Sequence, residues 1–262
     1  MIENGTKNKK ALHIEDLSKN FGGLNILDQL SMSVTPGERR AIIGPNGAGK
    51  TTLFNVISGE LKACKGSISL FGEEVIDMPN HQRARRGLAR SYQKNNLFLN
   101  LSVLDNLALV LQRKHNHEGN WFKHRSPKAF PLLYKEAESF LESWNLAKKS
   151  HVKVAELSYG EQREIEILLG VAADPKILLL DEPTAGMSVA ETQHMLRFLE
   201  NFPVDMTMLI IEHDMEIVFG LADRITVLYY GKVLAEGTPE EIRADSRVRE
   251  VYLGSEVSEK YA

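Results

Sequence analysis

Apolar and polar residues along the chain follow two different periods. Short apolar segments separated by turn residues fill residues 11–34, which predicts small antiparallel strands. The runs 177–180 and 206–211 are almost entirely apolar, as in strands buried on both faces of a parallel sheet. Residues 39–43 predict a further strand, and the segments 67–76 and 225–236 predict hairpins. The chain is therefore expected to contain two kinds of sheet.

Helical periodicity appears between these strands. Apolar residues recur every three or four positions in segments that predict helices over residues 52–59, 101–111, 132–146 and 162–173, and a Pro239-led helix follows the last hairpin. Strands alternating with helices predict an α/β fold. At 262 residues the chain can form one large α/β domain or a core with an inserted subdomain.

Two polar segments interrupt this pattern. Residues 81–90 carry Arg83, Arg85, Arg86 and Arg90, which we interpret mainly as a solvated helix face, with phosphate or nucleic-acid contact as the alternative. Residues 115–131 include His115, His117 and His124, but no carboxylate or cysteine at useful spacing completes a metal site. We expect that segment to be a surface insertion.

Composition narrows the class of protein. The chain has 32 Lys and Arg residues, 35 Asp and Glu residues and a net charge of -3, which gives no reason to expect nucleic acid as the main ligand. The first ten residues are polar, and the longest purely apolar run is 177–180, so a soluble, cytosolic protein is expected. Cys64 is the single cysteine and is interpreted as a free thiol.

A phosphate-binding loop is the strongest motif. The segment Gly44-Pro45-Asn46-Gly47-Ala48-Gly49-Lys50-Thr51 fits G-x-x-x-x-G-K-[ST] in full, and it lies between a predicted strand and a predicted helix that continues with Thr52. Backbone N–H groups and the helix N-terminus of such a loop bind an anion. Lys50 can reach the outer phosphates, and the Thr51 hydroxyl can hold Mg²⁺.

Three further side chains are expected at the same edge of the parallel sheet. Asp181 and Glu182 follow the buried run 177–180, and His213 follows the run 206–211. Ligands of open α/β sheets bind at the carboxyl ends of the strands. Asp181 therefore suits Mg²⁺, and Glu182 suits a base for an attacking water.

Two sequence features allow more than one interpretation. Ser158 and Glu161 form S-x-x-E, a helix capping box, but Ser158, Gly160 and a helix N-terminus also suit a second anion site. Phe21 can be a core residue of a strand, or its ring can stack on a nucleotide base. The residue pattern leaves both questions open.

Taken together, the motifs resemble the nucleotide-binding subunit of an ATP-binding cassette (ABC) transporter. Residues 44–51 correspond to the Walker A loop, LSYGE at 157–161 to the family signature, ILLLDEP at 177–183 to Walker B, Gln93 to the Q-loop and His213 to the switch histidine. The resemblance covers residues 11–254, leaving polar tails at 1–10 and 255–262. A GTPase would need an Asn-Lys-x-Asp motif, which the sequence lacks.

The resemblance implies a fold and a set of roles. The fold is a P-loop NTPase core with an antiparallel β-subdomain and an inserted helical subdomain, here about residues 94–155. ATP and Mg²⁺ are the implied cofactors, bound by the Walker A residues together with Thr52, with Thr51, Gln93 and Asp181 attending the metal. Glu182 polarises water, His213 contacts the γ-phosphate and Phe21 stacks on adenine. Ser158 and Gly160 serve the ATP of a partner cassette.

Details of the motifs point to one branch of the family. LSYGE, EPTAGMS, IEHDME and residues 248–254 are similar to ATPases that energise import of branched-chain amino acids, urea or short-chain amides. The alternatives are a lipopolysaccharide-export ATPase and, more distantly, a non-transport ABC ATPase. Tyr159 stands where the common signature has Gly, Glu161 where it often has Gln, and Ser188 where the D-loop usually has Asp. The Ser188 departure puts the ordinary D-loop contact across the dimer in question.

The resemblance also implies partners and a location. The partners are a second ABC ATPase, either a different chain or an identical copy, two transmembrane permeases and, indirectly, an extracytoplasmic solute-binding protein. Coupling to the permease is expected near Gln93 and the apolar residues Leu97, Phe98 and Leu99. The chain is accordingly expected in the cytoplasm, peripheral on the inner face of the cell membrane.

Overall fold

The computed structural model describes residues 10–91, 97–117 and 130–253 of the chain. These residues form two compact units. Of the described residues, the first unit comprises 10–90, 176–183 and 196–253, and the second comprises 91, 97–117, 130–175 and 184–195. Among the residues described, no helix is long and apolar enough to cross a membrane.

The first unit contains an antiparallel sheet built from the predicted N-terminal strands. Its order is β2-β1-β4-β5, with bounds Leu12–Phe21 (β1), Leu24–Val34 (β2), Lys65–Leu70 (β4) and Glu73–Glu74 (β5). Strands β1 and β2 are joined at Gly22 and Gly23 and pair antiparallel along most of their length. This pairing confirms the prediction of antiparallel strands, and the inward residues Leu12, Ile14 and Leu30 are fully or almost fully buried.

A six-stranded sheet forms the core of the same unit. Its order is β10-β9-β3-β8-β7-β6, with bounds Arg39–Ile43 (β3), Leu88–Arg90 (β6), Ile177–Asp181 (β7), Thr207–Ile211 (β8), Arg224–Tyr229 (β9) and Lys232–Gly237 (β10). All neighbours pair parallel except β9 and β10, which form the predicted hairpin. Every residue of β7 and β8 is buried, as their apolar runs predict.

The helices of the first unit flank these sheets. They are α1 (Lys50–Ser58), α2 (Asn80–Arg85), α7 (Met215–Leu221), α8 (Pro239–Ala244) and α9 (Ser246–Val248), followed by a π-helical turn at Arg249–Leu253. Helix α1 packs Leu53, Phe54 and Ile57 into a core shared with β1, β7 and β8. Helix α6 (Val189–Glu200) contributes residues to both units.

The interpretation of residues 81–90 as a solvated helix face is wrong for two arginines. Helix α2 ends at Arg85, and β6 begins at Leu88. Arg83 is only 2% exposed, and its guanidinium donates to the carbonyls of Val56 and Ile57 at the C-terminus of α1. A buried guanidinium satisfies helix-end carbonyls that would otherwise be left without donors. The Arg90 side chain is also buried, in contact with Asp181.

The second unit is mainly helical. Its helices are α3 (Val103–His117), α4 (Phe130–Ser143) and α5 (Tyr159–Ala172), with 3₁₀ turns at Ala147–Lys149 and Val154–Glu156. Leu107 of α3 and Leu141 of α4 are fully buried, as their helical spacing predicts. The expected surface insertion at 115–131 is wrong at both of its ends, because α3 extends to His117 and α4 begins at Phe130. His115, within α3, contacts Glu136 of α4 at 2.8 Å. Residues 118–129, with His124, lie outside the described residues.

Candidate functional site

The phosphate-binding loop joins β3 to α1. Helix α1 begins at Lys50, and its N-cap, Gly49, has a φ of +103° and no side chain that caps the helix. The N–H groups of a first helical turn have no partner within the helix. In α1 no side chain of the cap takes their place, so the loop suits an anion such as phosphate.

Two glycines are required by the path of this loop. Gly44 has a φ of +151°, and a Cβ there would lie 2.2 Å from the Leu228 carbonyl oxygen. A Cβ at Gly49 would lie 2.8 Å from the Ile26 carbonyl oxygen. The spacing of the motif therefore reflects close backbone approach as well as conformational freedom.

Lys50 is folded back onto its own loop. Its ammonium donates to the carbonyl oxygens of Gly44 at 2.6 Å and Pro45 at 3.1 Å, and the residue is 6% exposed. Burial lowers the pKa of Lys50, while the nearby carboxylates of Glu182 and Asp181 act in the opposite direction. The side chain is thus held at the loop, where its charge faces the two acidic residues.

Asp181 and Glu182 lie at the carboxyl edge of the parallel sheet. Asp181 is the last residue of β7, pairs in register with Ile211 and is 1% exposed. Glu182 leaves the strand with a φ of +47°, and its N–H donates to the Ile211 carbonyl at 2.9 Å. This turn gives the two adjacent carboxylates different environments, because one is buried and the other is partly open to solvent.

His213 meets Glu182 at this edge. Strand β8 ends at Ile211, and the His213 ring nitrogen Nε2 lies 2.6 Å from Glu182 Oε1. The side chains are 46% and 22% exposed, respectively. The parallel pairing of β7 with β8 brings together two residues that are 31 positions apart in the chain. Such a pair can position a water for attack and move its proton.

The oxygen groups near the loop suit a small divalent cation. Thr51 and Thr52 are the second and third residues of α1, and Thr51 is exposed. A hydroxyl and a buried carboxylate are ligands that Mg²⁺ accepts, with its other ligands supplied by water and substrate phosphates. No group of three or more His, Cys, Asp or Glu suited to a metal occurs in the described part of the chain. The donor set thus fits Mg²⁺ bound together with a phosphate substrate rather than by a protein cage.

Phe21 is not a core residue. It ends β1, is 50% exposed, and has the Lys19 ammonium 5.0 Å from the centre of its ring. The interpretation of Phe21 as a core residue is therefore wrong. Gln93, the remaining residue expected near the nucleotide, lies outside the described residues.

The signature segment caps a helix in the second unit. The Ser158 side chain accepts the Glu161 N–H at 3.3 Å, and the Glu161 carboxylate accepts the Ser158 N–H at 2.8 Å. The hydrogen bond from the Ser158 N–H, with a contribution from Lys149, holds the pKa of Glu161 below its usual value despite opposing desolvation. The predicted capping box is thus confirmed, and Gly160 follows in the first turn of α5.

Tyr159 and Ser188, two of the three residues that depart from the common motifs, have hydrogen-bond partners in the same unit. The Tyr159 hydroxyl donates to the Ala185 carbonyl at 3.2 Å. Ser188 caps α6, because its hydroxyl oxygen accepts the Glu191 N–H at 3.4 Å, and its own N–H donates to Glu191 Oε2 at 2.9 Å. Ser188 is therefore a good helix N-cap at the position where the D-loop usually has Asp.

Two residues that contact the site were not identified from the sequence, Gly231 at the phosphate-binding loop and Arg90 at Asp181. The Gly231 N–H donates to the Ala48 carbonyl at 3.0 Å, so the β9–β10 turn supports the loop from a distant part of the sequence. Arg90 contacts Asp181 at 2.9 Å. Arg90 is the last residue of β6 and follows the apolar residues Leu88 and Ala89. This short apolar stretch is the one local sign that Arg90 differs from the exposed Arg85.

Two protein families match this chain. The family described as "ABC transporter" matches residues 27–185, which include the phosphate loop and Asp181. The family described as "Branched-chain amino acid ATP-binding cassette transporter" matches residues 232–258.

Curated relatives cover nearly the whole chain. The branched-chain amino acid transport ATP-binding protein BraF of Pseudomonas aeruginosa is 37% identical over 93% of this chain and 97% of its own length. The branched-chain amino acid transport ATP-binding protein LivG of Escherichia coli strain K12 is 37% identical over 93% of this chain and 97% of its own length. A probable LivG of Archaeoglobus fulgidus is 33% identical over 95% and 98%.

Solved structures show the same fold. A nucleotide-free ATP-binding cassette from an ABC transporter has a TM-score of 0.78 and 31% identity, covering 93% of this chain and 98% of that one. An ATP-binding cassette in its ADP conformation has a TM-score of 0.79 and 31% identity, covering 94% and 99%. The α/β fold with its two kinds of sheet and its helical segment is that of these cassettes.

Proposed function

Since the chain belongs to the ABC transporter family, we propose that it hydrolyses ATP to energise the import of a small solute through partner permeases. The observation that carries the proposal is the convergence of Lys50, Asp181, Glu182 and His213 at the carboxyl edge of one parallel sheet. A phosphate-binding loop, a buried metal-type carboxylate and a base beside a histidine are the parts that ATP hydrolysis requires.

Each residue of the site then has a role. The loop amides of residues 44–51 and the Lys50 ammonium bind the phosphates, which replace the Gly44 and Pro45 carbonyls as partners of the ammonium. Glu182 accepts a proton from the attacking water, and His213 holds Glu182 and faces the γ-phosphate. Phe21 stacks on the adenine ring.

Mg²⁺ would be held by Thr51, Asp181 and Gln93. When bound, it neutralises charge that develops on the phosphate oxygens. The loop amides and Lys50 would orient the phosphates before the reaction starts.

A branched-chain amino acid is the solute class that the comparisons support best. Residues 232–258 match the family of that name, and the relatives BraF and LivG are named for transport of branched-chain amino acids. Urea and short-chain amides are the other solutes of the same branch. The choice of solute would lie with the permeases and the solute-binding protein.

The proposed working assembly has two ATPases and two permeases. Ser158 and Gly160 lie at the start of α5, where they would contact the ATP of the second cassette. The second cassette would be a different chain, with a homodimer as the alternative. The assembly would place this chain on the inner face of the cell membrane.

An apolar surface on the second unit supports permease docking. Phe98 and Leu99 are 61% and 45% exposed, whereas Leu97 is 8% exposed and therefore contributes to the interior instead of the expected docking surface. Close to them in sequence, Leu101 lines a groove between α3 and α4 with a volume of about 260 Å³. Exposed apolar residues at one place are typical of an interaction surface.

Affinity purification from the native cell tests the assembly. We expect to recover a second, different cassette ATPase together with two permeases. Recovery of this chain with lipopolysaccharide-export components would refute the import proposal. A Phe98→Asp variant should lose the permeases but keep ATP binding, whereas Val204→Asp, at an exposed apolar residue of the first unit, should keep both.

Reconstitution in lipid vesicles tests the solute. ATP hydrolysis by the complete complex should rise when the solute-binding protein carries leucine, isoleucine or valine. Stimulation by urea or acetamide alone would move the chain to the other solutes of the branch.

A further inference from the structure

Arg90 has a buried side chain at the centre of a polar cluster, and none of the roles above includes it. Its Nη2 donates to Asp181 Oδ2 at 2.9 Å, and the two side chains are only 7% and 2% exposed. Its Nη1 donates to Asn55 Oδ1 at 2.6 Å and to Ser58 Oγ at 3.1 Å, and it lies 3.3 Å from Glu60 Oε2. One guanidinium thus contacts the carboxylate at the end of β7 and three side chains in or just beyond α1.

The fold keeps the guanidinium in this place. Arg90 pairs in register with Leu179, so its side chain is on the same face of the sheet as Asp181, two residues further along β7. The guanidinium carbon is 5.8 Å from the centre of the Phe54 ring, which belongs to α1. Its orientation is therefore set by packing as well as by hydrogen bonds.

The ion pair matters because Asp181 is buried. Removing one partner of a buried pair leaves an uncompensated buried charge, which is strongly unfavourable. Residues that hydrogen-bond a metal ligand also orient it, and their loss typically weakens metal binding about 10- to 100-fold. Arg90 is such a residue, since its guanidinium is the buried ion-pair partner of Asp181 and its Nη2 donates to one carboxylate oxygen at 2.9 Å.

We propose that Arg90 is a positioning residue that orients Asp181 for a divalent cation and ties this carboxylate to the helix that begins at the phosphate loop. The inference rests on the proposed role of Asp181 at Mg²⁺. Arginine suits this task better than lysine, because its planar fork reaches Asp181 with one nitrogen and Asn55 and Ser58 with the other.

Nucleotide binding with and without the metal tests the proposal. The affinity for a fluorescent ATP analogue is measured in Mg²⁺ and in EDTA, and the ratio of the two affinities gives the metal-dependent part. In Arg90→Met this ratio should fall about 10-fold, with the EDTA affinity unchanged. Arg90→Lys should restore part of the ratio. Arg86→Met is the matched control, because Arg86 pairs at the surface with Glu73 and should leave the ratio as in the parent.

A double-variant comparison tests whether Arg90 acts through Asp181. Asp181→Asn should lower the ratio, and Arg90→Met combined with Asp181→Asn should lower it no further. Additive losses would overturn the proposal. So would equal losses in Mg²⁺ and in EDTA, which indicate a structural role alone, and so would an unchanged or larger ratio in Arg90→Met.

Two results separate this inference from the proposed function. If the parent shows no difference between Mg²⁺ and EDTA, the proposed metal-dependent nucleotide site fails. If the parent and Asp181→Asn differ but Arg90→Met matches the parent, only the role of Arg90 fails. Thermal melting establishes that each variant is folded, and Arg90→Lys alone carries the test if Arg90→Met does not fold.

Discussion

Replacing Glu182 by Gln should separate ATP hydrolysis from ATP binding. Gln has nearly the same shape as Glu and can keep a hydrogen bond to His213, which lies 2.6 Å away. It lacks the carboxylate that would accept a proton from water. The Glu182 side chain is 22% exposed, so neutralising it leaves no deeply buried unpaired group. The fold and the phosphate loop should therefore be unaffected.

The size of the effect follows from the chemistry lost. General-base catalysis contributes about 10²- to 10⁴-fold, which corresponds to roughly 2.7–5.4 kcal/mol of the activation barrier. Binding should change in the opposite direction, if at all. The Glu182 carboxylate acts on Lys50, and its removal leaves the ammonium more available to phosphate. An ATP-bound dimer should accumulate.

Single-turnover release of phosphate from saturating Mg²⁺ and ATP measures the chemical step. Glu216→Gln is the matched control, because Glu216 is an exposed glutamate in the first turn of α7. This variant should hydrolyse ATP at the parent rate. Hydrolysis by Glu182→Gln within threefold of the parent would refute the assignment of the base. Loss of ATP binding in a nucleotide titration would show instead that Glu182 has a structural or metal-binding role.

Three further changes have defined outcomes. Lys50→Ala should abolish nearly all ATP hydrolysis in a phosphate-release assay, because the ammonium at the loop compensates phosphate charge. Hydrolysis at the parent rate would contradict this role of Lys50. Phe21→Ala should weaken ATP binding roughly 5- to 150-fold in a titration, which is the equivalent of about 1–3 kcal/mol of stacking. Phe21→Trp should retain the affinity, and an unchanged affinity in Phe21→Ala would exclude stacking. Glu38 is buried, which opposes its ionisation, yet hydrogen bonds from Thr35 and the charge of Arg40 lower its pKa below the ordinary 4.5. The ionised Glu38 therefore stabilises the fold above pH 4.5, and this stabilisation is lost as the pH falls through the lower pKa of the folded state. The melting temperature should thus fall less steeply with decreasing pH in Glu38→Gln than in the parent. Equal slopes for the two proteins would contradict this expectation.

Much of the site could be predicted because its motifs are local. The signals for a strand, the loop at 44–51 and a helix are contiguous in sequence, and β3 indeed ends at Ile43 and α1 begins at Lys50. The apolar runs before Asp181 and His213 likewise predict buried strands, and parallel strands share one carboxyl edge. The Ser158 capping box is local as well, since both partners lie within one helical turn.

The tertiary structure decided which side chains meet and which are buried. The pattern around residues 81–90 is polar, yet Arg83 is enclosed by carbonyls of α1, and Arg90 contacts Asp181, 91 positions away. The exposure of Phe21 depends on where β1 ends in its sheet. Such contacts depend on strand order and on the packing of distant segments, which a local pattern of polar and apolar residues does not contain. Sequence therefore determines the elements and the chemical groups at their ends, while the burial of charge is decided only when the sheet has assembled around it.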